Sequence, residues 1–251
     1  MKFKKIVIGL LLIGLISAIP GYRQIVETAA RIQAPMTLVI DAGHGGPDSG
    51  ASAADGTGEQ QINLAVAQAL KKEAEAYGIR VVMTRTSEDG LYENGEQGSA
   101  WSKVGDMKER RRIIEETKPD LTVSIHLNSF LADTSVHGAQ VFYPKGAEGE
   151  PGEESKLLAE EIQSSLKAEL ADDANRIVLP KDGIYLFRRA DHPMILVECG
   201  FLSNPGDLQN LKSEEYQQRI AGAVMKAVAQ HYGLEVPETR KMYVIDSRTD
   251  L

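Results

Sequence analysis

The sequence predicts a single α/β domain with a central, mostly parallel β-sheet, helices on both faces and a functional site at the carboxyl ends of the strands. Short β-branched apolar runs alternate with amphipathic helical patterns along the chain. Most of these runs are apolar throughout, as in strands that are buried on both faces. No proline- or serine-rich linker interrupts the chain after residue 36, and 251 residues suffice for a sizeable core.

Five apolar runs have the length and composition of strands. They are rich in Val, Ile, Leu and Met, and glycine, proline or charged residues bound most of them. The predicted strands cover residues 37–40, 79–83, 121–125, 138–143 and 194–197.

Three apolar stripes recur at helical spacing, and each predicts a helix with one buried face. The stripes consist of Ile62, Val66, Ala69 and Leu70, of Leu158, Ile162, Leu166 and Leu170, and of Ile220, Val224, Val228 and His231. A shorter helix is predicted over 107–117, with Asp106 as its N-cap. Within it, Arg110, Arg111 and Arg112 are expected to form a solvated face, although one of them could close onto the sheet edge. Residues 87–105 and 145–152 lack periodicity and are expected to be surface loops.

The first 36 residues are expected to be an export leader, or a short membrane anchor if it stays uncleaved, with a linker. Lysines at positions 2, 4 and 5 precede an apolar run over residues 6–19. This run fits a secretory leader and falls short of the roughly 17–25 residues that span a bilayer. A buried core helix is the alternative, but such a helix rarely opens a chain behind a basic cluster. Residues 37–234 then form the α/β domain, and residues 235–251 form a polar tail without an assigned role.

Charge and cysteine content exclude several function classes. The formal net charge of −8 argues against a nucleic-acid binder held by phosphate contacts. A single cysteine excludes an intrachain disulfide framework and a cysteine-rich metal cluster. Any metal chemistry must therefore come from histidines and carboxylates.

The most informative residues follow the predicted strands, where ligands bind in an open parallel sheet. His44 follows the first strand in the run DAGHGGPDSGA, and His126 follows the third in SIHLNS. Glu198 ends the last strand, and Glu59 lies in the loop after His44, at the start of a helix. Two imidazoles and one carboxylate can hold a catalytic zinc ion, with a fourth position left for water. A second carboxylate can move a proton from that water to a departing amine, so the sequence predicts a hydrolytic site with one Zn²⁺ per chain.

Taken one at a time, these residues have plainer interpretations. His44 could be a turn residue between glycines, His126 a core histidine, and Glu59 a surface acid near a helix start. Glu198 is harder to dismiss, because a carboxylate after Ile-Leu-Val is costly to bury unless it is paired or functional. The prediction therefore depends on the combination of all four.

The other histidines, His137, His192 and His231, are expected to be structural or solvated. Cys199 could form a nucleophile pair with His192, but nothing in the sequence orients that histidine. A buried cysteine in a strand is usually inert, so this alternative is disfavoured.

Seven separated motifs occur in the order typical of a known enzyme family. They are Asp41-Ala-Gly-His44-Gly-Gly with Asp48 and Gly50-Ala51, then Glu59, Thr84-Arg85-Thr86, Met107 to Arg110, Ser124-Ile-His126-Leu-Asn128, Gly138 to Tyr143, and Glu198-Cys-Gly-Phe-Leu-Ser-Asn204. By these motifs the chain resembles the zinc-dependent N-acetylmuramoyl-L-alanine amidases, amidase family 3, from residue 37 to about residue 233. The resemblance implies that His44, Glu59 and His126 are zinc ligands, that Glu198 is the catalytic acid/base, and that helices flank a mostly parallel sheet.

The reaction implied by this resemblance is hydrolysis of the amide that joins the lactyl group of N-acetylmuramic acid to L-alanine in peptidoglycan. Within the family the chain is most similar to sporulation- and germination-specific amidases, which implies a location outside the membrane and a role in forming muramic-δ-lactam in spore cortex. An activator protein could be a partner. The alternatives are a general cell-wall autolysin, a zinc peptidase that acts within the stem peptide, and a non-catalytic wall-binding module.

Overall fold

The structure, a computed structural model, describes residues 35–92, 100–146, 149–171, 173–188 and 190–235. Its strands are β1 (Thr37–Ala42), β2 (Arg80–Met83), β3 (Leu121–Asn128), β4 (Gln140–Pro144), β5 (Leu179–Lys181) and β6 (Met194–Phe201). Its helices are α1 (Glu59–Ala76), α2 (Lys103–Thr117), α3 (Glu150–Leu170), α4 (Pro205–Leu211) and α5 (Glu214–His231). Together they build one α/β domain.

Some sequence-based expectations lie outside the described residues. These are the leader or anchor over residues 1–34, the tail from residue 236 onward, and residues 93–99 and 147–148 of the two predicted loops. Within the described ranges, no helix is both long enough and apolar enough to cross a membrane.

The six strands form one sheet in the order β2-β1-β3-β6-β4-β5. β1 pairs in parallel with β2 and β3, β3 with β6, and β4 with β5, whereas β4 runs antiparallel to β6. The prediction of a mostly parallel sheet is confirmed. Because β1, β3 and β6 share one direction, their carboxyl ends lie at the same edge of the sheet.

Helices cover both faces of the sheet, as the sequence predicts. On one face, α1, α3 and α5 pack fully buried side chains, among them Val66, Ile162 and Val224, into a common core with alternate strand residues. On the other face, Ile114 of α2 and Phe187 pack against the remaining strand residues. Burying one such side chain contributes about 1.5–3 kcal/mol to the stability of the fold. The two helix layers therefore fix the position of the sheet edge that carries the predicted site.

Helix α2 begins earlier than predicted. Its N-cap is Ser102, whose hydroxyl oxygen accepts a hydrogen bond from Gly105 N at 3.0 Å. The prediction of Asp106 as the N-cap is wrong, because Asp106 lies inside the first turn and its buried carboxylate accepts hydrogen bonds from Leu91 N and Arg110 Nε. Serine and aspartate are equally good caps, so the sequence alone did not separate the two positions.

Two short elements, β5 and α4, are absent from the sequence-based expectations. β5 has three residues, one of which is Pro180, so it carries no alternating pattern. α4 has seven residues and begins after Asn204, whose side-chain oxygen accepts a hydrogen bond from Asp207 N at 2.9 Å. Both elements are too short for hydrophobic periodicity to reveal.

Candidate active site

The loop after β1 carries His44 in a left-handed backbone conformation, with φ of 62°. Residues other than glycine rarely adopt this conformation. The backbone oxygen of His44 accepts a hydrogen bond from Arg110 Nη2 at 2.6 Å, and the ring Nδ1 lies 2.9 Å from Asp48 Oδ2. Because an ionised carboxylate can only accept, Nδ1 donates to Asp48, and Nε2 is the ring nitrogen left to bind a metal ion once its proton is lost.

His126 lies within β3 rather than after it, since the strand continues to Asn128. Its ring packs edge-on against the ring of His44, with centroids 4.9 Å apart and an interplanar angle of 80°. Gly43 makes this approach possible, because a Cβ atom at that position would lie 2.3 Å from His126 Cε1. The glycine between β1 and His44 is therefore required by the contact between the two histidines.

Glu59, the first residue of α1, joins the two histidines and is 3% exposed. Its Oε1 lies 3.3 Å from His44 Nε2 and 3.1 Å from His126 Nδ1. The same oxygen accepts a hydrogen bond from Leu127 N, and Oε2 accepts one from Ala51 N. The structure thus brings together the three residues predicted as ligands, and one ligand atom from each lies within 4.8 Å of the others.

The hydrogen bonds in this group set the charge of its members. Burial alone would raise the pKa of Glu59, but the hydrogen bonds to His126 and His44 hold it well below its ordinary range. Burial alone would lower the pKa of His44, but the hydrogen bonds to Glu59 and Asp48 raise it above its ordinary value. Glu59 is therefore a carboxylate at neutral pH, which is the form that binds metal ions.

Two of the three separations between the ligand atoms fit a tetrahedral metal site. Ligand atoms about 2.0–2.1 Å from a zinc ion are about 3.3 Å apart at tetrahedral angles. The separations of Glu59 Oε1 from the nitrogens of His44 and His126 are 3.3 Å and 3.1 Å. Two imidazole nitrogens and one carboxylate oxygen leave a fourth position for water, so these three residues could hold a divalent metal ion.

Glu198 lies within β6 and is 6% exposed. The register between β3 and β6 pairs Glu198 with His126, so the two side chains project from the same face of the sheet at neighbouring positions. Oε1 of Glu198 accepts a hydrogen bond from Lys181 Nζ at 3.0 Å. Oε2 is buried and has no hydrogen-bond partner among the described residues. The fourth predicted residue is thus a buried carboxylate with one unpartnered oxygen.

A buried ion-pair network supports the loop that carries His44. Arg110, which is 1% exposed, places Nη1 2.7 Å from Asp41 Oδ1 and Nε 2.5 Å from Asp106 Oδ1. It also donates to the backbone oxygens of Ala42 and His44. The prediction of a solvated face is wrong for Arg110, because two buried carboxylates neutralise it, and the alternative that one arginine closes onto the sheet edge is confirmed.

Asp41 and Arg85 belong to the same network, and the sequence did not reveal their roles in it. Burial alone would raise the pKa of Asp41, but Arg110 and the Ser124 hydroxyl lower it to about 2. Arg85 donates to the two backbone carbonyls that precede His44, and burial next to Arg110 lowers its pKa to about 10. Two guanidinium groups therefore hold three successive carbonyls at the end of β1.

The remaining histidines have partners of their own outside this group. Those partners are Asp173 for His137, Glu161 for His231, and Thr122 and Asp191 for His192. Cys199 is fully buried, and burial raises the pKa of its thiol, which makes it a poor nucleophile. The structure therefore gives no support to a Cys199–His192 nucleophile pair.

Known proteins are similar to this chain in sequence and in fold. A family model described as N-acetylmuramoyl-L-alanine amidase matches residues 38–230. The germination-specific N-acetylmuramoyl-L-alanine amidase of Bacillus subtilis (strain 168) is 33% identical over 196 residues, which cover 78% of this chain and 79% of that protein. N-acetylmuramoyl-L-alanine amidase LytC of the same organism is 29% identical over 196 residues, 78% of this chain and 35% of LytC. The structure of the CwlD amidase from Clostridioides difficile, in complex with the GerS lipoprotein, has a TM-score of 0.72 and 37% identity, covering 79% of this chain and 98% of that chain.

The family match extends over most of the chain and includes His44, Glu59, His126 and Glu198. The similarity to the germination-specific enzyme spans more than two thirds of both proteins. The fold also agrees with that of a solved amidase at 37% identity. The chain therefore belongs to the N-acetylmuramoyl-L-alanine amidase family and is an enzyme of that activity.

Proposed function

We propose that this amidase is a zinc hydrolase acting on peptidoglycan, with His44, Glu59 and His126 as the zinc ligands and Glu198 as the catalytic acid/base. The observation that carries the proposal is the convergence of the three ligand atoms within 4.8 Å, beside a buried carboxylate at the paired position of the next strand. Two histidines and one carboxylate with an open fourth position are the donor set of catalytic rather than structural zinc sites.

The chemistry divides between the metal and the protein. A zinc ion held by His44, Glu59 and His126 would supply a bound water with a pKa of about 7 and would stabilise negative charge on a carbonyl oxygen. Glu198 Oε2 accepts a proton from the attacking water, and a C–O bond forms at the amide carbon. The same carboxyl group then gives that proton to the amide nitrogen as the C–N bond breaks. The products are a carboxyl group on one fragment and a free amine on the other.

The bond that we propose as the target joins the lactyl group of N-acetylmuramic acid to L-alanine. Mass spectrometry of peptidoglycan fragments after incubation with the zinc-loaded protein tests this directly. We expect free lactyl carboxyl groups on muramic acid and new L-alanine amino termini. Release of D-alanine with intact lactyl amides would instead indicate a zinc peptidase that acts within the stem peptide, and it would reject the proposed bond.

Two substitutions separate the proposed roles of the site residues. Glu198→Ala should keep the zinc and the fold but lose nearly all turnover, whereas His126→Ala should lower the zinc content. His137→Ala is a matched control, because His137 is exposed and pairs with Asp173 away from the site. Near-normal hydrolysis by Glu198→Ala, or an unchanged zinc stoichiometry in His126→Ala, would contradict the assignment of that residue.

We further propose a role in spore cortex, where peptide removal precedes muramic-δ-lactam formation. The support is similarity to a germination-specific amidase at 33% identity and to CwlD at 37%. The similarity to LytC favours a second candidate, a general cell-wall amidase. Expressing the chain in a spore-forming bacterium that lacks its own germination-specific amidase should restore cortex muramic-δ-lactam, and an unchanged cortex composition would favour the second candidate.

Export and an activator complete the proposal. Residues 1–36 would direct the catalytic domain over 37–234 across the membrane, as a cleaved leader or a retained anchor, with residues 235–251 as a tail. Because CwlD was solved in complex with the GerS lipoprotein, a lipoprotein activator is a reasonable partner. Fractionation of cells that express the full chain should place it outside the cytoplasmic membrane, and recovery in the cytosol would argue against export.

A further inference from the structure

Glu198 has a partner that the family motifs do not include. Lys181, the last residue of β5, places its Nζ 3.0 Å from Glu198 Oε1, and its side chain is one-third exposed. The ammonium group also lies 4.3 Å from the centre of the Phe142 ring. An ammonium held over a ring face and bonded to a carboxylate has little freedom to move away.

The sheet brings this lysine to the site from an edge strand. β5 pairs in parallel with β4, and the register places Lys181 next to Pro144. β4 in turn pairs with β6 in the antiparallel direction, with Gln140 opposite Glu198. Lys181 thus reaches across β4 toward Glu198, and Lys145, the residue that follows β4, donates its backbone N–H to the Lys181 carbonyl.

The two oxygens of Glu198 are therefore unequal. Oε1 accepts the Lys181 hydrogen bond, while Oε2 is buried and has no hydrogen-bond partner among the described residues. A buried carboxylate oxygen without a partner is costly. Such an arrangement is expected where an oxygen must stay available to a water or a substrate group.

We propose that Lys181 is a positioning residue for the acid/base reaction, an inference that rests on the role proposed above for Glu198. Lys181 binds Oε1 and holds the carboxylate in one orientation, so that Oε2 receives the proton of the attacking water and passes it to the amide nitrogen. Lys181 itself neither gains nor loses a proton in the reaction. Because it acts on the proton transfer rather than on substrate binding, its loss should lower kcat and leave KM nearly unchanged.

Substitutions at Lys181 test this role in the zinc-loaded full chain. Lys181→Met keeps the apolar stem against Phe142 and removes the charge, and we expect kcat to fall by about 10- to 100-fold, with KM within about threefold of the parent. Lys181→Gln, which stays polar, should behave alike and serves if Lys181→Met is unstable. Lys181→Arg retains a cationic donor and should restore kcat to within about fivefold of the parent. Lys145→Met is the matched control, because Lys145 follows directly after β4, is more exposed than Lys181, and places its ammonium 4.0 Å from Asp182.

The readouts distinguish positioning from a structural role and from a failure of the proposed function. Zinc content should match the parent in all Lys181 variants. Lys181→Met and Lys181→Gln should have a lower thermal midpoint than the parent, because Glu198 then stays buried without its cation, but both should remain folded at the assay temperature. Parent-like kcat in Lys181→Met and Lys181→Gln, a raised KM with unchanged kcat, or no rescue by Lys181→Arg would each overturn the inference. So would an equal loss in Lys145→Met. If the parent binds no zinc, or if Glu198→Ala turns over normally, the proposed function fails instead.

Discussion

Replacement of Arg110 by methionine should destabilise the whole domain, because Arg110 is the cation at the centre of the network beneath His44. Asp41 and Asp106, its two carboxylate partners, are 1% and 5% exposed. Their oxygens lie 2.7 Å and 2.5 Å from the guanidinium nitrogens. Methionine fills a similar volume but offers neither a charge nor a donor. Both carboxylates would then stay buried without their cation, and two backbone carbonyls would lose a donor.

The expected loss of free energy of unfolding follows from these missing interactions. Removing one partner of a buried ion pair costs about 3–5 kcal/mol, because the other charge stays buried and uncompensated. The Thr84 and Ser124 hydroxyls still donate to Asp41, which keeps the loss within that range rather than above it. A domain of this kind has a total free energy of unfolding of about 5–15 kcal/mol. Arg110→Met should therefore remove a large share of the stability.

Urea unfolding at pH 7, followed by circular dichroism, measures this effect. Lys71 on α1 provides the control, because its i,i+4 ion pair with Glu75 lies on the helix surface with both side chains exposed. Surface pairs of this kind contribute little, so Lys71→Met should unfold at nearly the same urea concentration as the parent. Equal midpoints for Arg110→Met and Lys71→Met would refute the assignment of Arg110 to a buried, stabilising network.

Three further predictions concern the site and its support. Asp48→Ala should weaken zinc affinity by about 10- to 100-fold, because Asp48 orients the His44 ring; competition with a chelator measures this, and Asp48→Asn, which keeps an acceptor, should lose less. Gly43→Ala should lower the zinc content, because its Cβ would lie 2.3 Å from His126 Cε1; full zinc occupancy by elemental analysis would contradict this. The pKa of Asp41 is about 2 instead of 3.8, so its contribution of about 2 kcal/mol is complete above pH 3.8 and disappears as the pH falls toward 2. The difference in urea midpoint between the parent and Asp41→Asn should therefore shrink at pH 2.5.

All strands except β5, and the convergence of the site, could be predicted from the sequence because both depend on local patterns. Apolar runs marked β1, β3 and β6, and polar residues at their ends had to meet at one edge once the strands were parallel. His44 and His126 were identified in this way, although His126 lies within β3 rather than beyond it. The ends of the strands were harder to predict, because nothing in the sequence SIHLNS shows where the backbone pairing of β3 stops.

Arg110 is an example of a buried charged residue that sequence composition does not predict. Three consecutive arginines are most often a solvated helix face, and that was the interpretation of Arg110 to Arg112 from the sequence. The spacing nevertheless held a signal: Arg110 is four residues after Asp106 and four before Ile114, so all three lie on one side of the helix. The structure shows that this side is buried. A charged residue in register with an apolar residue and an opposite charge should therefore be considered for the buried face.

No sequence pattern pointed to Lys181, because its contact with Glu198 depends on the pairing of strands that are distant along the chain. Its strand has three residues, includes a proline, and belongs to the sheet only through its pairing with β4. Its contact with Glu198 reaches across β4, which runs antiparallel to β6, so no spacing along the chain encodes it. The proposed ligands come from the loop after β1, the start of α1 and the parallel strand β3. The residue that we propose to orient the proposed acid/base comes from an edge strand beyond the antiparallel β4. A variant series at Lys181 therefore also tests whether that edge contributes to catalysis or only completes the sheet.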